Sequence, residues 1–212
     1  MYVLHWEYMA GSIVVHAMLN DADAEFDLRY VDMGAEQHKR HDYLSLNPTG
    51  RVPALTLPDG STIGETGAIV IYLGEVFPQT GLSPRPGHAD RPDFLYWLNV
   101  MTTAGYPAVV RWSHPERFAT SEAAIAEVKD KAAADLGEFF DLMEDAISGR
   151  ASFLEGGFSA LDYYLSMLTE WPSNRQDLLA AHPKIRAVYH ATSQRPGYRS
   201  AMNRHALPEV AA

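Results

Sequence analysis

The first eighty residues alternate between strand-like and helix-like patterns of apolar positions. Short apolar runs predict β-strands at residues 2–5, 26–31, 54–57 and 61–63. Helical spacing of apolar residues covers 12–19, weakly 35–45, and 68–76, with Ser12 expected as the N-cap of the first helix. Pro58, Asp59 and Gly60 separate the last two strands, as is typical of a tight hairpin. The order β-α-β-α-β-β-α predicts an α/β domain with a mixed sheet.

The rest of the chain shows helical patterns alone. Residues 78–92 are crowded with proline and glycine, which indicates a linker. Helical patterns follow at about 90–112, 121–148, 159–170, 176–193 and 197–203. Ser159 and Asp162 have the spacing of a capping box. We therefore predict an α/β domain at residues 1–78, a linker at 79–89 and an all-helical domain at 90–212.

Composition narrows the chemistry that this chain can perform. The 212 residues carry a net charge of −10 and no basic run, which argues against nucleic acid or a membrane as a partner. The absence of cysteine excludes disulfides, thiolate metal sites and a cysteine nucleophile. No metal-binding motif, leader-like segment or membrane-length apolar run is present, so we expect a cytoplasmic protein without a metal.

The Val52-Pro53 step and the Glu65-Thr66 pair combine features of a peptide-binding site. Proline lacks an N–H and permits a cis peptide bond, so the N–H and C=O of Val52 are expected to be free for the backbone of a bound peptide. Thr66 begins a predicted helix, whose free N–H groups and positive dipole end favour a carboxylate. Glu65 can pair with an ammonium. The alternative is that Thr66 only caps its helix and Glu65 is solvated.

Three motifs in this order resemble the cytosolic glutathione transferase family, over nearly the whole chain. They are Asn47-Pro48-x-Gly50-x-Val52-Pro53-Ala54-Leu55, Glu65-Thr66-x-Ala68-Ile69-x-x-Tyr72-Leu73, and Phe158-Ser159-x-x-Asp162. Trp97-Leu98-Asn99 followed by Tyr106, and Gly11-Ser12 followed by His16, are most similar to the bacterial beta-type branch. The resemblance implies a thioredoxin-like N-terminal domain that binds glutathione as co-substrate, a helical domain that forms the electrophile pocket, and a homodimer.

The resemblance also assigns roles to individual residues. Val52 and Pro53 are expected to hold the cysteinyl part of glutathione, and Glu65 and Thr66 its γ-glutamyl part. Asn99 matches a position that reaches glutathione from the helical domain. Beta-type members bind the glycyl carboxylate with a lysine a few residues after the second strand, and residues 33–36 contain none here. The remaining candidates for that carboxylate are Gln37, His38, Lys39 and Arg51.

The group that activates the thiol is left open by the sequence. Gly11 stands where the beta-type cysteine would be, and the next residue, Ser12, either donates its hydroxyl to the thiolate or only caps its helix. Tyr8 and the backbone N–H groups of residues 11–13 are further candidates. Tyr106 occupies the position of a beta-type histidine that approaches the sulfur, so its hydroxyl is a further candidate, and it is expected to share a cleft wall with Thr102 and Thr103. The alternative is that Tyr106 packs between helices.

The predicted activity is nucleophilic attack by the glutathione thiolate on an apolar, aromatic electrophile. Without cysteine, a mixed-disulfide reductase is disfavoured. Two alternatives stay open: a non-catalytic binding or scaffolding protein of the same fold, and glutathione-dependent cleavage of aryl ethers.

Overall fold

The computed structural model describes residues 1–206, so the last six residues of the predicted helical domain lie outside it. Contacts divide the chain into two compact units. One comprises Met1–Arg85 and the segment that begins at Ser193, and the other comprises Pro86–Thr192. The C-terminal segment therefore packs with the first unit, an association that the sequence-based division at residue 90 did not include.

The first unit contains a mixed four-stranded sheet. Its strands are β1 (Tyr2–Trp6), β2 (Phe26–Tyr30), β3 (Ala54–Thr56) and β4 (Thr62–Gly64), in the order β2-β1-β3-β4. β1 runs parallel to β2, whereas the β1–β3 and β3–β4 pairs are antiparallel. The helices of this unit are α1 (Ser12–Asp21), α2 (His41–Leu46), α3 (Thr66–Val76) and α10 (Pro196–His205), with a 3₁₀ turn at Gln37–Lys39. The predicted thioredoxin-like α/β domain is confirmed.

Helix α1 lies at the centre of the first unit. Residues 12–19 are all buried because the helix packs against the sheet, α3 and α10. Side chains alternate along β1, so Trp6 points toward the α10 residue His205 while His5 points away, toward Tyr43 of α2. The expectation that Ser12 caps α1 was wrong. Gly11 is the N-cap, Ser12 is the first helical residue, and no side chain makes a capping hydrogen bond.

The second unit is helical as predicted. Its helices are α4 (Arg91–Val100), α5 (Tyr106–Ser113), α6 (Glu122–Ala146), α7 (Ala160–Glu170), α8 (Arg175–Ala181) and α9 (Pro183–Ser193). The predicted capping box at the start of α7 is present, with the Asp162 carboxylate accepting the N–H of Ser159 at 2.7 Å. No helix within residues 1–206 is long and apolar enough to cross a bilayer.

Two predicted helices are interrupted in the second unit. A π-helical segment, Met101–Gly105, separates α4 from α5. Pro107 cannot donate a helical hydrogen bond, and Gly105 lies so close to Phe139 that an added Cβ would approach its ring to 2.5 Å. The second interruption falls between α8 and α9, where Pro183 starts a new helix.

Candidate active site

The segments that carry the predicted binding residues converge at one end of the sheet. Because β1–β3 and β3–β4 are antiparallel, β1 and β4 end where β3 begins, with His5 opposite Ala54 and Ala54 opposite Gly64. The turn after β1 (residues 7–11), the Val52-Pro53 step before β3 and the Glu65-Thr66 pair after β4 therefore share this end. Helices α1 and α3 both begin there, so two positive dipole ends meet at the same place.

The Val52-Pro53 step has the predicted geometry. The peptide bond is cis, and no hydrogen bond within residues 1–206 uses the N–H or C=O of Val52. The preceding carbonyl is tightly held: Arg51 C=O accepts from the Tyr43 hydroxyl at 2.6 Å and from Asn47 Nδ2 at 2.8 Å. Asn47 is buried, and its Oδ1 also accepts from the Thr49 hydroxyl at 2.9 Å. These buried contacts fix the backbone that precedes Val52.

The Glu65-Thr66 pair presents polar groups that have no partner inside the described chain. Glu65 is exposed and adopts φ 61°, a conformation that costs a non-glycine residue about 1–3 kcal/mol and that marks functional sites. Thr66 is the first residue of α3 and only 7% exposed, and its hydroxyl makes no hydrogen bond within residues 1–206. The first helical bond is donated by Ile69 to Glu65 C=O at 3.0 Å, which leaves the earlier N–H groups of the helix available. Thr66 does not cap α3, so the capping part of that alternative is wrong, whereas Glu65 is exposed to solvent as the alternative assumed.

Ser12 lies inside the unit rather than at its surface. The residue is 0% exposed, and its hydroxyl lies 3.4 Å from Glu7 C=O and 3.5 Å from His205 Nδ1. A ligand sulfur cannot reach a hydroxyl in this environment unless α1 and α10 separate. This geometry disfavours Ser12 as the donor to the thiolate.

The Tyr8 ring lies on the β2 side of β1, whereas Val52 precedes β3 on the other side. Its ring packs at 5.1 Å from Trp6 and 5.2 Å from Tyr30, the last residue of β2. β2 and β3 lie on opposite sides of β1, so this packing places the Tyr8 ring on the β2 side of β1. The Tyr8 hydroxyl makes no hydrogen bond in the described part of the chain.

The backbone of the β1–α1 turn offers donors of its own. The N–H groups of Gly11 and Ser12 make no hydrogen bond within residues 1–206, whereas Ile13 donates to Ala10 C=O at 3.1 Å. Of the three backbone donors expected at residues 11–13, the first two have no partner within residues 1–206, although both residues are buried. They stand at the positive end of α1, where a thiolate is stabilised.

Glu7 was not recognised from the sequence, and it ties this turn to the segment after β2. Its carboxylate accepts the N–H of Tyr8 at 2.7 Å and the N–H of Met33 at 2.9 Å. Partial desolvation, although the residue is exposed, and the hydrogen bond to the adjacent Glu7 carboxylate raise the pKa of Tyr30 to about 12. No local motif marks a glutamate that acts through backbone contacts twenty-six residues away.

The candidates for the glycyl carboxylate differ in how they are engaged. Gln37 Oε1 accepts the N–H of Asp32 at 3.0 Å, and Lys39 pairs with Glu36 at 2.6 Å on the surface. Arg51 is exposed, directly precedes Val52, and its guanidinium makes no ion pair within residues 1–206. Of Gln37, Lys39 and Arg51, Arg51 therefore has the most favourable position, and His38, the fourth candidate, lies in the same 3₁₀ turn as Gln37 and Lys39.

The helical unit carries the remaining predicted residues. Asn99 is exposed near the end of α4, and its Nδ2 donates to Leu95 C=O of its own helix at 2.7 Å. Tyr106 starts α5, and its ring packs edge-on against Trp171 at 5.2 Å. Thr102 and Thr103 lie in the π-helical segment, and both donate to Asn99 C=O. The π turn alters the helical spacing on which their predicted shared wall with Tyr106 depended.

Comparison with known proteins identifies the family. The glutathione S-transferase N-terminal domain family matches residues 12–76. A solved glutathione S-transferase from a sphingomonad, complexed with glutathione, is 30% identical, with 97% of this chain and 100% of that one covered and a TM-score of 0.84. The chain belongs to the cytosolic glutathione transferase family.

Other relatives support this assignment over nearly the whole length of the chain. Glutathione S-transferase GstA of Escherichia coli O157:H7 is 26% identical over 93% of this chain and 96% of that protein. The solved structure of a beta-class glutathione S-transferase from Sphingomonas chungbukensis is 27% identical in sequence. The alignment covers 97% of this chain and 100% of that one, with a TM-score of 0.83. The predicted family, fold and enzyme class are confirmed.

Proposed function

We propose that this transferase binds glutathione at the sheet end formed by Val52, Pro53, Glu65 and Thr66, and ionises its thiol with backbone N–H groups of the β1–α1 turn. The observation that carries the proposal is the convergence of the Val52 turn with the N-termini of α1 and α3. Glutathione has two carboxylates, one ammonium and a thiol that is mostly protonated at neutral pH. The polar groups at this sheet end match that pattern.

Each end of glutathione has a proposed partner. The cysteinyl backbone pairs with the free N–H and C=O of Val52, as an added strand would. The γ-glutamyl carboxylate accepts from the Thr66 hydroxyl and the first N–H groups of α3, and Glu65 receives the ammonium. Arg51 receives the glycyl carboxylate, in place of the lysine of beta-type relatives. Asn99, Gln37 and Lys39 remain secondary candidates because their side chains already have partners.

Activation of the thiol is proposed to rest on Gly11 and Ser12 N–H. Both donors lack a partner within residues 1–206 and lie at the start of a ten-residue helix, where a sulfur that reached them would be favoured as the anion and its pKa lowered. Glutathione supplies the nucleophile: its sulfur forms a bond to an electrophilic carbon, and a leaving group departs with the bonding electrons or a proton is added. We propose that the helical unit forms the pocket for an apolar electrophile and that Tyr106 contributes to it.

A glutathione-affinity assay combined with conjugation kinetics tests this function. The enzyme is expected to be retained on immobilised glutathione and to conjugate at least one aromatic electrophile. Retention without turnover of halogenated aromatics, enones or aryl ethers would favour a binding protein, and failure to bind would contradict the proposal. Turnover of aryl ethers alone would assign reductive ether cleavage.

The activator is resolved by titrating the thiol of bound glutathione in Ser12→Ala, Tyr8→Phe and Tyr106→Phe. We expect its pKa to stay low in all three variants, since the proposed donors belong to the backbone. A rise in any one variant assigns that side chain instead. We also propose that the protein is cytoplasmic and forms a homodimer, and light scattering in solution tests the dimer.

A further inference from the structure

Helix α10 runs antiparallel along α1. At one end, Arg195 pairs with Asp21 at 2.7 Å, and Asn20 donates to Gly197 C=O at 3.2 Å. The helices touch closely here, because a Cβ on Gly197 would lie 2.2 Å from the Asp21 carboxylate. At the other end, the last residue of α10, His205, reaches the β1–α1 turn.

His205 contacts that turn at three successive points. Its ring packs 4.7 Å from Trp6 at the end of β1, its C=O accepts the N–H of Met9 at 3.2 Å, and its Nδ1 lies 3.5 Å from the Ser12 hydroxyl. The residue is 0% exposed, and His16 of α1 covers another side of its ring at 5.3 Å. A single residue, through its ring and its backbone carbonyl, thus joins the end of the strand to the start of the helix.

The turn requires such support. Met9 adopts φ 45°, which is unfavourable for a residue with a Cβ and persists when surrounding contacts hold it. Burial lowers the pKa of His205 to about 3, so its imidazole is neutral and acts by packing and through the contact of its Nδ1 with the Ser12 hydroxyl.

We propose that His205 is a positioning residue: it holds the β1–α1 turn so that the Gly11 and Ser12 N–H groups stay aligned with the glutathione thiolate. This inference rests on the proposed function, because it assumes that those N–H groups ionise the thiol. It assigns to α10, a C-terminal helix, a role in the chemistry of the N-terminal domain.

Three full-length variants test the inference. His205→Ala removes the ring, His205→Phe keeps an aromatic ring in contact with Trp6, and Arg195→Gln weakens α10 at its far end without touching the turn. The readouts are the pKa of bound glutathione, from the ultraviolet absorbance of the thiolate, with kcat, glutathione KM and the thermal midpoint. His205→Ala is expected to raise the thiol pKa by about one unit, which lowers the thiolate fraction about tenfold below that pKa. KM should change little.

A purely structural role predicts a different pattern. In that case Arg195→Gln and His205→Ala would lower the thermal midpoint and leave the thiol pKa unchanged, and the inference would be overturned. The positioning role requires that His205→Phe restores most of the thiol pKa and that Arg195→Gln does not move it. If the alanine variant fails to fold, His205→Gln replaces it and is judged by the same shift. A wild-type enzyme whose bound thiol keeps the pKa of free glutathione would instead overturn the proposed function.

Discussion

Replacing Thr66 with valine tests the seat proposed for the γ-glutamyl carboxylate. The two side chains have the same shape, and valine and threonine have similar helix propensities. Thr66 is 7% exposed and its hydroxyl has no partner within residues 1–206, so the substitution removes no internal hydrogen bond. We therefore expect the free energy of unfolding to change by less than about 0.5 kcal/mol.

The cost should appear in glutathione binding instead. A hydrogen bond from a hydroxyl to a charged group contributes roughly 1.5–3 kcal/mol. Its loss corresponds to an increase of the glutathione Kd by about 10- to 150-fold. Calorimetric titration of wild type and Thr66→Val with glutathione measures this difference directly, and urea unfolding of the free proteins measures their stability.

Thr62→Val is the matched control, because it lies in β4 of the same hairpin. Its hydroxyl is 3.1 Å from the Thr56 hydroxyl, so removing it should cost stability and leave the Kd unchanged. If Thr66→Val binds glutathione within about twofold of wild type, the hydroxyl does not contact the carboxylate. The N–H groups of α3 would then have to hold it without the side chain.

Three other outcomes follow from the contacts described above. Ser12→Ala should shift the pKa of bound thiol by less than about half a unit, because its hydroxyl is buried against Glu7 and His205; a larger rise in a thiolate titration would make Ser12 the donor. Asn47→Ala should lower the free energy of unfolding by about 1–3 kcal/mol and raise glutathione KM, since Nδ2 holds Arg51 C=O; urea unfolding and kinetics measure both, and an unchanged KM would separate Asn47 from the site. Burial lowers the pKa of His5 and His16 to about 4, below the usual 6.5. Their protonation in the unfolded chain should therefore reduce stability as pH falls from 6.5 toward 4, by about 1–2 kcal/mol each at pH 5. Urea unfolding at pH 7 and pH 5 measures this loss, which His16→Phe should diminish.

Most of the fold could be predicted from local sequence patterns. The strands, the α1 and α3 helices and the capping box before α7 each leave a signal within about ten residues, in apolar spacing or turn chemistry. The geometry of the Val52-Pro53 step could be predicted equally well, because the missing proline N–H and the free Val52 groups are local consequences of one residue.

The prediction that Ser12 caps α1 was wrong for the opposite reason. A serine before an apolar helix has the pattern of an N-cap, and a serine beside a ligand site has the pattern of a catalytic donor. Its actual environment is made by His205, which lies 193 residues away in the chain. Nothing in the neighbouring sequence shows that α10 covers that position. For the same reason, nothing in the sequence indicated the role of His205 itself, since the residues it contacts lie far from it in the chain.

The absence of cysteine also has a physical interpretation in the structure. Gly11 has φ −57° and ψ −13°, values that any residue adopts, so glycine is not required there by the backbone. The glycine lacks the side-chain donor of beta-type relatives but keeps its N–H, and that of Ser12 stands beside it at the positive end of α1. A backbone donor persists through almost every substitution, so its presence cannot be read from residue identity. It depends on the turn being held in place, and the contacts of α10 with Trp6, Met9 and Ser12 are what hold it.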